Sequence, residues 1–155
     1  MYTALLILHS WLRWAVVLSG LAVLGASAAG MTRRRPWQGS DDLRVRVFTT
    51  SLDVQFLIGL LLYGLLSPVT YAGFADMGAA MRDPILRFYT VEHTFGMVAA
   101  ITLAHIGRAR VRKAAEAARH KTVLIFFGMA IVVILLSIPW PGTPGGRVLF
   151  RGFEL

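Results

Sequence analysis

Two histidines, His9 and His93, each lie well inside a long apolar stretch, where an uncharged imidazole is a good ligand for a metal, haem iron included. The chain contains no cysteine, which excludes a disulfide framework, a thiolate metal site, an iron–sulfur cluster and a cysteine nucleophile. Chemistry here must therefore use His, Asp, Glu, Arg and a bound group. The other polar residues set within apolar stretches are few: Ser10, Arg13, Asp53, Gln55, Glu92 and His105. An ionisable group at membrane depth costs at least about 2.5 kcal/mol on insertion scales, so each is a functional candidate by default. No nucleotide-binding loop, HExxH helix, carboxylate-rich dimetal set or nucleophile elbow occurs, so hydrolysis and phosphoryl transfer have no support.

The elements that must position these residues follow from composition. Of 155 residues 56% are hydrophobic and only 15% charged, against about a quarter charged in soluble domains, and mean hydropathy is +0.63. Four runs approach the roughly 20 apolar residues that a helix needs to cross a bilayer: 3–29, 47–66, 84–106 and 122–138. The expectation is one all-α domain over residues 1–155, an integral membrane bundle of four up-and-down helices. The first run lacks the basic start and the cleavage site of a signal peptide and reads as a retained span. Lys and Arg decide the orientation. Eleven of the 16 fall in the connections after the first and third runs, among them Arg33, Arg34, Arg35, Arg108, Arg110, Arg112 and Lys113. Those connections are expected on the cytoplasmic side and both termini on the outer, periplasmic side. The same rule accounts for the net charge of +8 without a nucleic-acid partner.

Local signals set the breaks. Ser67-Pro68 should stop the second helix, Asp83-Pro84 should cap the third, and Pro139-Trp140-Pro141 should stop the fourth. Residues 69–82 read as an outer loop with a short interfacial turn, and the tail from Trp140, ending in Phe150, Arg151 and Phe153, as a segment on the outer surface.

At 1.5 Å per residue, His9 and His93 differ in depth by only a few ångströms, and as diagonal neighbours across a bundle they can face one another. Three readings of that pair stand: axial ligands of a haem, a polar packing or proton-path pair, or ligands of another metal. Gly96, Met97, Ala100 and Ala104 lie along the His93 row, largely small residues of the kind that let a flat macrocycle approach a backbone. Arg13, one turn below His9, could pair with Glu92 or hold a haem propionate, and Arg87 is the alternative propionate partner. Asp53 could pair with His105, and Gln55 reads as a helix-to-helix hydrogen bond. His105 lies about 120° round its helix from His93, which argues against a second haem stacked below the first. His120 could meet His105, but both read better as interfacial histidines beside a basic connection. The fourth run, with nothing ionisable, reads as a lipid-facing or packing helix outside the site.

The segments HSWLRW (9–14), LDVQFLIGLLLY (52–63), RFYTVEH (87–93), HK (120–121) and IPWPG (138–142) resemble small bacterial four-helix membrane proteins described as cytochrome b-like. The resemblance runs over nearly the whole chain. It implies a multi-pass protein of the bacterial inner membrane with one haem b, His9 and His93 as axial ligands near the outer leaflet, and Arg13 and Glu92 as neighbouring charged positions. In such proteins a His can stand where this chain has Asp53, a departure that argues further against a second haem. The expected role is electron transfer with a quinol or a periplasmic carrier, alone or within a larger membrane complex, as a carrier or oxidoreductase subunit more than a stand-alone enzyme. A haem-free accessory or scaffold subunit is the alternative, and a proton or ion path through Glu92, His93, Asp53 and His105 the third.

Overall fold

The structure, a computed structural model, describes residues 1–150 and Gly152; Arg151 and Phe153 of the expected tail motif lie outside the described residues. Among the described residues all regular structure is helical: α1 (Tyr2–Thr32), α2 (Gly39–Leu61), α3 (Pro68–Ala75), α4 (Met77–Arg82), α5 (Pro84–Arg87), α6 (His93–Lys113) and α7 (Glu116–Ser137). Two five-residue π turns complete the long rods. Leu62–Leu66 extends α2, and Phe88–Glu92 joins α5 to α6 without a break.

The breaks fall where proline and its neighbours place them. Ser67 ends the α2 rod in an extended conformation and caps α3 by accepting from the Thr70 N–H. Asp83 caps α5 by accepting from the N–H groups of Ile85 and Leu86, with Pro84 at the first helical position. Residues 69–82, expected as a loop with one turn, instead form α3 and α4, capped by Ser67 and Asp76. Hydropathy missed them because two short helices, unlike a span, need no long apolar run.

α7 stops at Ser137, and the prolines beyond it leave two carbonyls without their usual partners. Pro139 offers no N–H to Leu135, whose carbonyl accepts from the Trp140 indole at 2.7 Å instead. Pro141 offers none to Ser137, whose carbonyl is thereby free to turn toward the bundle interior.

α1 packs on α2 and α7, and α6 packs along α7 and, less extensively, on α2. α1 and α6 thus lie across from one another. Phe48 and Phe127 meet edge to face at 5.3 Å in a core that also holds Val16, Val23, Ala100, Ala104 and Ile131. Glycines set the closest approaches, as is usual where small residues let helix backbones meet. A Cβ on Gly20 would run into Ile131 and Phe48, and one on Gly96 into the Ser137 hydroxyl. Gly96→Val is therefore expected to lower stability by about 2–3 kcal/mol, since a packed seam tolerates no added methyls. Thermal unfolding in detergent checks this, and an unchanged midpoint would mean that α6 and α7 do not touch at Gly96.

Among the described residues three helices are long and apolar enough to cross a membrane: Tyr2–Thr32, Gly39–Leu66 and Glu116–Ser137. The expected third span, 84–106, falls instead on the α5–π–α6 rod. Its apolar length is cut by His93, Thr94, Thr102 and His105 and ends in the Arg-rich run from Arg108.

Candidate functional site

The π turn before α6 aims its first residue. The His93 N–H reaches back five residues to the Phe88 carbonyl, one more than in an α-helix. That extra residue advances everything after it by about 100° around the axis. His93 consequently turns inward while Glu92 is exposed. The carbonyls loosened by the wider turns are taken up by hydroxyls: Tyr63 donates to the Thr90 carbonyl at 2.9 Å, and Thr70 to the Tyr63 carbonyl at 2.7 Å. The first π turn thus braces the second and is itself braced by α3.

Across from His93 lies His9 on α1, with the ring centres 6.4 Å apart and the planes at 71°. His93 Nδ1 donates to the Ser137 carbonyl at 2.7 Å, the one freed by Pro141. A carbonyl can only accept, so the hydrogen sits on Nδ1 and the Nε2 lone pair is left free. α7, expected to stay outside the site, therefore supplies the group that orients His93. The repeated prolines of IPWP were the signal for it.

His9 is positioned by α2. Gln55 donates to the His9 carbonyl at 2.9 Å, the expected helix-to-helix bond, and Gly59 leaves the space in which the His9 ring lies. A Cβ at Gly59 would stand 3.1 Å from His9 Cε1. The Nδ1 of His9 is buried without a hydrogen-bond partner.

Both rings border a cavity of about 140 Å³, lined also by Arg13, Tyr89, Met97 and Arg147. The small-residue row serves a different purpose from the expected one. Gly96 closes on Ser137 of α7, and Ala100 and Ala104 are wholly buried in the core, so only Met97 of that set faces the cavity.

The Arg13–Glu92 pair does not form. Arg13, 8% exposed, donates through Nη2 to the Leu149 carbonyl at 2.6 Å, while Glu92 pairs with Arg87 at 2.7 Å. The π turn rotates Glu92 away from α1. Arg87, engaged with Glu92 and with the Met81 carbonyl, lies outside the cavity and is not placed to serve a ligand there.

Sequence reasoning also missed the role of the segment after α7. Trp14 stacks on Phe150 at 5.4 Å, Trp11 lies 5.6 Å from the same ring, and Tyr89 donates to the Gly145 carbonyl. These contacts fold residues 139–150 back over the His9 end of the helices. Trp11 and Trp14 are thus its anchor.

At the arginine-rich end, His105 Nε2 donates to Asp53 at 2.7 Å, the expected pairing, with both side chains more than a third exposed. His105 and His120 do not meet. His120 is buried against Gly30, 5.0 Å from the Trp37 ring, with Nε2 3.2 Å from the Arg35 carbonyl. It lies beside the basic connection, as expected, but is buried there and locks the turn between α1 and α2.

No family model, curated protein or solved structure matches this chain.

Proposed function

We propose that the chain is a four-helix bundle in the bacterial inner membrane, termini outside, that holds one haem b between His9 and His93 near the outer leaflet and transfers electrons. The observation that carries this reading is the spacing of the imidazoles. Two metal–nitrogen bonds of about 2 Å, with about 1 Å from each nitrogen to its ring centre, bring two ring centres about 6 Å apart, in line with the observed 6.4 Å. Among the described residues no third His, Asp or Glu joins the pair. Two imidazoles suit an iron whose remaining positions a macrocycle fills.

Haem, when bound, supplies a one-electron couple; the rest is the work of the chain. His9 and His93 supply the nitrogen donors, Ser137 fixes the tautomer and direction of His93, and Arg13 offers a buried cation near the pair. The apolar lining keeps water from the pair and sets the local dielectric that tunes a potential. Electrons would pass to or from a quinol in the bilayer or a carrier outside it, alone or within a larger complex.

The size of the cavity favours a second reading. At about 140 Å³ it matches an engineered cavity of about 150 Å³ that takes one benzene ring, so a macrocycle enters only by displacing lining side chains such as Leu60 and Met97. A haem-free accessory subunit, with the histidines packed as they stand, needs no such movement.

A reduced-minus-oxidised absorption spectrum of detergent-purified protein, expressed with ample haem, separates the two. A b-type α-band with a Soret shift is expected. A colourless, well-folded protein would overturn the haem reading and leave the accessory subunit.

A further inference from the structure

We infer that Arg147, acting with Arg13, forms a carboxylate-binding pair at the His9–His93 cavity, so that the segment after α7 is part of the ligand site. This rests on the haem reading and extends it. It places the two acidic side groups of haem b at two named guanidiniums, one of which the sequence did not single out.

Both arginines border the same cavity as the two histidines. Arg13 is buried; its Nη2 has only a backbone carbonyl, and its Nε is buried with no hydrogen-bond partner. The Arg147 guanidinium lies over the Tyr89 ring, 4.4 Å from its centre, a stacking arrangement that leaves the in-plane N–H groups free to donate. Neither is in an ion pair with a described carboxylate, whereas Arg35 and Arg44 are paired with Asp41 and Arg87 with Glu92. Among the described residues that line it, the cavity thus has two guanidiniums and no carboxylate.

Two positive charges beside an apolar cavity are costly unless an anion meets them. The planar fork of guanidinium matches a carboxylate through two parallel hydrogen bonds. The ligand chemistry this selects is an apolar, ring-shaped body carrying two carboxylates.

Arg147 is also held in place. Its N–H donates to the Pro139 carbonyl at 3.2 Å, the Gly146 N–H to the Thr143 carbonyl at 2.8 Å, and Tyr89 bonds the Gly145 carbonyl. The proline-rich turn after α7 therefore presents Arg147 on a braced loop.

The test compares protohaem with its dimethyl ester, which keeps the iron and macrocycle but lacks both charges, in spectroscopic titrations of haem-depleted protein. Wild type is expected to prefer the free acid by at least about tenfold, the value of one charge-assisted hydrogen bond. Arg147→Gln should shrink that preference by about tenfold while leaving ester affinity within about twofold, and Arg147→Lys should restore part of it. Arg13→Gln should act in the same direction. If that variant fails to fold, the two Arg147 variants carry the test alone. Equal wild-type affinity for acid and ester, or an Arg147→Gln protein that keeps the full preference, overturns the inference while the haem reading stands. Wild type that binds neither compound overturns both.

Discussion

Replacing His93 by Ala is expected to abolish the b-type spectrum, and replacing His9 by Ala to do the same. Partners that merely orient a ligand are worth about 10–100-fold in metal affinity, so losing a ligand itself should exceed about 100-fold. The two variants should differ in one respect. His93→Ala also removes the bond to the Ser137 carbonyl and the ring contact with Phe88 at 5.8 Å, and is expected to cost about 1–2 kcal/mol more in stability. His9 makes no side-chain hydrogen bond through Nδ1, so His9→Ala should fold nearly as well as wild type. Free imidazole should restore the spectrum in each, because the deleted ring leaves a space of its own shape. His105→Ala is the control, since that ring is exposed and bonded to Asp53. Loss of colour in His105→Ala, or its retention in His93→Ala, would refute the assignment of ligands.

Much of this geometry was legible because it depends on quantities a helix fixes. Depth follows from 1.5 Å per residue, which brings His9 level with His93, and the angular count puts His105 on another face. The stops at Ser67, Asp83 and Ser137 follow from residues with a single local meaning. What could not be read was phase and return. The Phe88–Glu92 π turn has no hydropathy signature, yet it inserts one residue and sends Glu92 away from Arg13. The segment 139–150 has no periodicity, so nothing local announced that it folds back to bring Leu149 to Arg13 and Arg147 to the cavity. Gly96, Ala100 and Ala104 were legible as small, but not as facing α7, because a small residue fits a helix seam as well as a macrocycle. The burial of His120 was not legible beside its basic run, because it depends on Gly30 lying ninety residues earlier in the chain.

The largest expected effect on the fold lies at the other end of the molecule, at Asp41. This carboxylate is 2% exposed and holds the turn between α1 and α2 closed. Arg35 grips both of its oxygens, at 2.8 and 2.9 Å, Arg44 adds a bond at 3.2 Å, and the Gln38 N–H at the start of α2 donates to it at 3.0 Å. The same Arg35 presents its carbonyl to His120 on α7, so one residue ties α1, α2 and α7 together. Asp41→Ala removes a helix-capping acceptor and leaves Arg35 in a turn shaped around the lost charge. Breaking a buried pair costs about 3–5 kcal/mol, but the Arg35 side chain is 27% exposed and can recruit water, which puts the expected loss near about 3 kcal/mol. For a chain of this size that lowers the unfolding midpoint by about 6–12 °C. Asp41→Asn, which keeps an acceptor for Gln38 but not the charge, should fall between it and wild type. Along α1 about 30 Å separates this turn from Arg13, so the perturbation should not reach the histidines. Asp41→Ala is accordingly expected to melt early with the ligand spectrum unmoved, whereas a midpoint within about 2 °C of wild type would mean that the turn is held by its backbone alone.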